Sequence, residues 1–319
     1  GPYGDGKGLD HFVNAAGGID IIIGGPPCQA YSVAGRVRDE NGMKDDYRNY
    51  LFEHYLSVVN RYQPKVFVFE NVPGLLSAMS DGTPIIQLIK SGFSSIGYEI
   101  VDDVKKYAKV DASDYGVPQN RERLIILGIR KDLCEDVQVI LHRFYLEILP
   151  KYKSKKKKTV AEAIGDLPKI TPIINDEELK SRIGYSKPEC HTTWHRARHH
   201  SLRDVEIYRM LANDIQSGRN EYVDSKSLSD LYEEKVGAKS PIHRYHVLRA
   251  DEPSTTIISH LDRDGNRFIH YDPEQGRDIT PREAARIQSF DDDFDFIGNQ
   301  TDTYIMIGNA VPPLLAKCV

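Results

Sequence analysis

Cysteine is scarce in this chain. Its four residues, Cys28, Cys134, Cys190 and Cys318, are widely scattered with no C-x-x-C pair. That spacing speaks for free thiols in a reducing compartment rather than a disulfide framework. Long apolar runs are missing as well: none approaches membrane-spanning length, and no basic region followed by an apolar core opens the chain. Positive charge is not in excess, since 42 Lys and Arg against 47 Asp and Glu leave a net charge of −5. Composition therefore gives no global argument for nucleic acid, and such a case has to come from local patches. No internal repeat is present. What remains is an ordinary globular composition, 40% hydrophobic and 28% charged, over 319 residues. That length suffices for one large α/β domain and a smaller one.

The chain is organised around residues 19–36. A β-branched run, Ile19, Ile21, Ile22 and Ile23, is too short for a helix and is stopped by Gly24-Gly25, the pattern of a buried strand ending in a sharp turn. Pro26-Pro27 then stiffens the backbone and removes two donors. The next residue, Cys28, is thereby presented at the C-terminal end of a strand, where open α/β sheets bind ligands.

Pro-Pro-Cys-Gln on such a loop resembles the nucleophile motif of the cytosine-C5 DNA methyltransferases. Further signatures follow in that family's order: Glu70-Asn71-Val72, then Gln119 to Arg123, then Arg277 to Phe290, then Gly308-Asn309-Ala310-Val311-Pro312-Pro313. Together they span nearly the whole chain. The resemblance implies an α/β fold: a Rossmann-like S-adenosylmethionine-dependent sheet with a smaller mixed target-recognition domain. It also implies methyl transfer to carbon 5 of a flipped cytosine in double-stranded DNA, a restriction-modification role, and a bacterial, cytoplasmic and nucleoid-associated setting. The family's Phe-x-Gly-x-Gly strand and its ribose-binding acid do not appear before the cysteine strand. A truncated chain, or a second chain or N-terminal segment supplying those cofactor-binding strands, is therefore expected. Gly4-Asp5 is a remnant of the third cofactor element.

Periodicity fills in the elements. Residues 37–50 are polar and Gly-containing, with the character of a lid. Leu51, Phe52, Tyr55, Leu56, Val58 and Val59 mark a helix over 51–62, ended by Pro64. Residues 65–70 form a second buried strand, and 83–96 a second amphipathic helix. The segments 98–109 and 123–130 read as an antiparallel edge of the same sheet. Six lysines in residues 151–158 suit a solvated loop at a domain boundary or a phosphate contact. Residues 159–170 hold a short capped helix stopped by Gly165 and Pro168. His191, His195 and His199 recur every four residues beside Cys190, a spacing that invites zinc, yet Arg196 and Arg198 between them fit a basic face near DNA better. Helices follow over 201–211 and 226–235, and strand-like alternation over 242–258 and 267–270. Thr280, Pro281 and Glu283 spell a capping box at a helix start, and Gly308-Asn309 is expected to begin the last helix. The domains are predicted as 1–150 (catalytic), 170–292 (target recognition) and 293–319 (return to the catalytic domain).

The chemistry assigns roles. Carbon 5 of cytosine becomes nucleophilic only after a thiolate adds at carbon 6, the task of Cys28. Glu70, at the end of the neighbouring strand, can protonate ring nitrogen 3, and Asn71 fixes its turn. Arg121 and Arg123 alternate and so share a face. By resemblance Arg123 contacts the base and steadies Glu70 or the thiolate, while Arg121 braces the loop or a phosphate. Because the base must leave the stack, Gln29 and Ser32 are candidates for the flipped nucleotide or the vacated space, and Gln119 is a structural or DNA-backbone-binding partner. Arg282 stands among the DNA candidates, although its helix position, like that of Arg286, reads as more structural than base-reading. Asp5, Pro27, Leu51 and Asn309 are the cofactor candidates. No metal is expected. Two rivals stand beside this reading: a tRNA cytosine-C5 methyltransferase, and a non-catalytic DNA-binding or regulatory subunit of a split enzyme.

Overall fold

In the computed structural model the described residues are 8–26, 51–80, 82–174, 182–237 and 245–319. They divide into two compact units: Gly1–Asp111 with Glu122–Lys153, and Ala112–Arg121 with Ser154–Val319.

The first unit is an α/β layer. Helix α1 (Leu9–Ala15) leads into β1 (Ile21–Gly24), α2 (Leu51–Tyr62) and β2 (Val66–Asn71); α3 (Ile85–Ser95), β3 (Tyr98–Ile100), β4 (Lys109–Asp111), β5 (Glu122–Arg130) and α4 (Val137–Arg143) follow. The sheet runs β1-β2-β5-β3, with β4 also on β5. Strands β1 and β2 are parallel, Ile21 opposite Val66, and α2 is the crossover that parallel neighbours require. Strand β2 then pairs antiparallel with β5, from Val66 opposite Ile129 to Asn71 opposite Leu124. Helix α3 buries Ile85, Ile89 and Phe93, one stripe at four-residue spacing, and Phe93 stacks on Phe67 with ring centroids 4.1 Å apart. Gly128 of β5 makes room for that stack, because a Cβ there would lie 2.1 Å from the Phe67 ring.

The antiparallel edge expected over 98–109 and 123–130 forms, with β3 and β4 outermost and β5 between them and β2. Leu124, Ile125 and Ile126 of β5 are buried, as an interior strand requires. One expectation changes: β1, read as a buried strand, is the opposite edge, has no strand on its outer side among the described residues, and its Ile21 and Ile23 are 56% and 75% exposed.

The second unit is mainly helical, with α5 (Val160–Ile164), α6 (Leu202–Gln216), α7 (Ser225–Val236), α8 (Pro281–Ile287), α9 (Gln300–Asn309) and α10 (Pro313–Cys318). The capping box expected at Thr280 forms with Glu283, and two more stand at Thr159 with Glu162 and Asn299 with Asp302. Val160, Ile164, Ile257, Phe268, Ile279, Ile287 and Ile307 share one core. The lysine run coincides with the boundary between the units at Lys153 and Ser154. Residues 112–121 and 293–319 pack with this second unit, where the sequence reading put them with the catalytic domain.

Helix α6 runs past the expected Leu211 to Gln216. Asp214 in its last turn is buried and accepts from the Glu221 and Tyr222 N–H groups, both at 3.1 Å, which anchors the following turn. Gly308 and Asn309 end α9 rather than begin the last helix. Pro312 lacks a donor and pushes Val311 out of helical conformation, so the chain restarts at Pro313. The alternation over 245–258 yields only isolated bridges, Val247 with Ile269 and Ser254 with Gln119; residues 242–244 are outside the described residues.

Candidate active site

In the first unit, Glu70 is the second-last residue of β2 and Arg123 the second of β5. Glu70 stands opposite Ile125, so Arg123, two residues further on, is its diagonal neighbour on the same face of the sheet. The Arg123 Nε lies 3.0 Å from Glu70 Oε1, with both side chains largely buried. Burial pushes the Arg123 pKa down and the Glu70 carboxylate opposes that shift. The guanidinium also donates through Nη1 to Glu122 O at 2.7 Å.

The end of β1 comes against this pair. A Cβ placed on Gly25 would fall 2.6 Å from Glu70 Oε2, so the second glycine is demanded by the acid, beyond its role in stopping the strand. Asn71 is buried, accepts from Val72 N–H at 2.8 Å and reaches Pro26 O at 3.5 Å, which fits its expected part in fixing the turn. Leu51 is half-buried at the start of α2. Asp5, Pro27, Cys28, Gln29, Ser32 and the expected lid over 37–50 lie outside the described residues.

In the second unit three long polar side chains among the site candidates are buried. Arg121 is buried and spends its guanidinium on backbone carbonyls, Ile257 O at 2.7 Å, Gly308 O at 2.9 Å and Ala310 O at 3.0 Å. It thus braces the chain after α9. Gln119 is fully buried, its amide donating to Gln288 and its Oε1 accepting from Ile257 N–H at 2.8 Å. It is inaccessible to DNA. Arg282, among the DNA candidates, is also fully buried; it donates to Thr193 O, Asp291 O and Phe294 O at 2.9–3.0 Å, which bears out its structural reading. Side-chain length misled in each case, because a long guanidinium or amide satisfies several buried carbonyls as readily as a phosphate.

Asn309 is exposed at the end of α9. The histidines do not form a helical ligand face. His195 is buried between Thr280 Oγ1 at 3.2 Å and Pro168 O at 2.8 Å, and no metal-holding cluster exists among the described residues. Of the two arginines between them, Arg196 is exposed and stacks on Trp194 at 4.8 Å. Arg198 instead pairs with buried Asp278.

A model of the C-5 cytosine-specific DNA methylase family matches residues 2–319. The chain is 35% identical over 318 residues to the type II methyltransferase M.Bpa9945I of Bacillus paralicheniformis, covering 94% of this chain and 69% of that protein. It is 33% identical to M1.HphI of Haemophilus parahaemolyticus, with 94% and 67% covered. Among solved structures, a DNA modification methyltransferase encoded within an E. coli prophage matches with TM-score 0.56 at 26% identity, covering 98% of this chain and 81% of that one. The Entamoeba histolytica methyltransferase EhMeth shares the fold at 14% identity and TM-score 0.50, with 94% and 74% covered.

Proposed function

Since the chain belongs to the C-5 cytosine-specific DNA methylase family, it transfers a methyl group from S-adenosylmethionine to carbon 5 of cytosine in DNA, and we propose that Cys28, Glu70 and Arg123 carry out the chemistry. The observation that carries this reading is the Glu70–Arg123 pair at the end of β2, with Glu70 Oε2 directed at Gly25, three residues before Cys28. The Cys28 thiolate adds to carbon 6, and Glu70 supplies a proton to nitrogen 3, so that electron density moves to carbon 5. Arg123 holds the carboxyl in place and offers a cation to the base. After methylation the proton on carbon 5 passes to water as the C6–S bond breaks, and nitrogen 3 returns its proton to the Glu70 carboxylate, which restores the thiolate, the acid and the aromatic ring.

S-adenosylmethionine supplies the methyl group. Of its candidate contacts, Leu51 and Asn309 are described, and they belong to separate units. Among the described residues β1 has no strand on its outer side. The substrate is double-stranded DNA with the target base flipped, with Gln29 and Ser32 at the vacated space and residues 170–292 reading sequence. The type II relatives favour DNA over tRNA. Retention of the Glu70–Arg123 pair favours an enzyme over a binding subunit.

The test is covalent trapping. With the cofactor and any complementing part present, a duplex carrying 5-fluorocytosine should form an adduct through Cys28. Cys28→Ser should lose adduct and turnover while still binding DNA. An adduct mapped to another cysteine, or full activity in the serine variant, would overturn the assignment.

A further inference from the structure

We propose that Tyr55 is a positioning residue for the reaction: its phenol locks the end of β1 to β2, and so fixes how Gly24 and Gly25 sit against Glu70. This rests on the roles given above to Cys28 and Glu70. Tyr55 lies on α2, the crossover between the two strands, and its hydroxyl is 2.9 Å from Val68 O and 3.2 Å from Ile22 O. One side chain thus reaches a carbonyl on each of two adjacent strands, two residues before Glu70 on one and two before Gly24 on the other.

The ring is fixed as firmly as the hydroxyl. It meets Phe67, Phe69 and Phe93 edge to face at centroid distances of 6.0, 5.3 and 6.3 Å, a preferred aromatic geometry. On its remaining side a Cβ added to Gly24 would fall 2.6 Å from the ring. The two consecutive glycines therefore have separate reasons: Gly24 admits Tyr55, and Gly25 admits the Glu70 carboxyl. Burial pushes the phenol pKa up, so the hydroxyl stays a donor throughout the working pH range. Chemistry that joins a thiolate and an acid to one ring depends on their spacing, and a displacement of about 1 Å costs up to about a hundredfold in rate.

Tyr55→Phe removes the hydroxyl and keeps the ring packing. In catalytically active enzyme it should lower kcat about tenfold and leave the KM for DNA within about twofold, with an unchanged melting midpoint. Gly24→Ala, which presses on the ring from the other side, should show the same split between kcat and KM. A double-mutant cycle identifies the route: in the Glu70→Gln background, Tyr55→Phe should cost less than about twofold, because the geometry it protects no longer serves a proton transfer. Wild-type kcat in Tyr55→Phe, a loss that follows the melting midpoint, or a full tenfold loss in the Glu70→Gln background would each overturn the proposal. Failure of the underlying reading shows separately, as wild-type activity in Glu70→Gln alone.

Discussion

The Asp272 backbone N–H donates to His270 Nδ1 at 3.0 Å, which fixes the tautomer of a fully buried imidazole. With Nδ1 accepting, the proton sits on Nε2, which faces Glu283 Oε1 at 3.6 Å. Burial depresses the His270 pKa from 6.5 to about 4, against the pull of Glu283 and Asp272 and with the push of Arg277. The ring is neutral in the fold, and its contact with Glu283 is no ion pair. Glu283 is satisfied elsewhere, by Arg277 Nη1 and Nη2 at 2.7 Å each and by Thr280 N–H at 2.7 Å.

A pH dependence follows with a definite sign. A folded-state pKa below the unfolded value gives stability that is complete above the unfolded value and lost as pH falls towards the folded one. His270 therefore withdraws about 3 kcal/mol between roughly pH 6.5 and 4. Glu283 and Asp278, both held down to about 2, withdraw theirs below their ordinary carboxylate range. The melting midpoint should fall in two acid phases, and His270→Asn should flatten the upper one. An unchanged slope between pH 6.5 and 4 in that variant would contradict the neutral, buried imidazole.

Breaking the Arg277–Glu283 pair should be costly by itself. Both side chains are buried, and Glu283→Ala leaves a buried guanidinium uncompensated while removing half of a capping box. The expected loss is about 3–5 kcal/mol, measured by denaturant unfolding. A loss below about 1 kcal/mol would show that water reaches the site.

Gly25→Ala tests the acid's geometry without replacing a polar side chain. The added methyl would lie 2.6 Å from Glu70 Oε2, so either the carboxylate or the β1 backbone must shift. Methyl transfer should fall by about a hundredfold while the circular dichroism spectrum and melting midpoint stay near wild type. Activity within about twofold of wild type would mean that the site tolerates a displaced Glu70.

Sequence preference should follow residues 170–275. Exchanging them for those of a related type II enzyme is expected to change the methylated site and keep the reaction, because this stretch lacks the nucleophile, the acid and Arg123, and carries scattered Arg, His, Ser and Asn of the kinds that read base edges. A well-folded exchange variant with the original preference would place specificity elsewhere.

Titration of these 319 residues with S-adenosylhomocysteine should give weak binding or none. Of the proposed cofactor contacts only Leu51 and Asn309 are among the described residues, and the outer edge of β1 has no partner strand among them. Tight one-to-one binding would show that the cofactor site is built in another way.

The sequence by itself determined the elements whose signals are local. Helix α2 occupies the predicted 51–62, since its apolar stripe and Pro64 act within a few residues. The capping boxes at Thr159 and Thr280 formed because each needs only its own four positions. The place of Glu70 at the end of the second strand was legible for the same reason. Tertiary structure alone decided where long polar side chains end. Arg121, Gln119 and Arg282 each had a phosphate or DNA contact among their expected roles, and each is buried on carbonyls or amides that come from distant positions in the chain. Only the strand register made Arg123 the diagonal neighbour of Glu70, and only the fold set Tyr55 against Gly24 and Glu70 against Gly25. A hydrogen-bonding group carries its capacity in the sequence, but its partner is set by which distant backbone the packing brings within 3 Å.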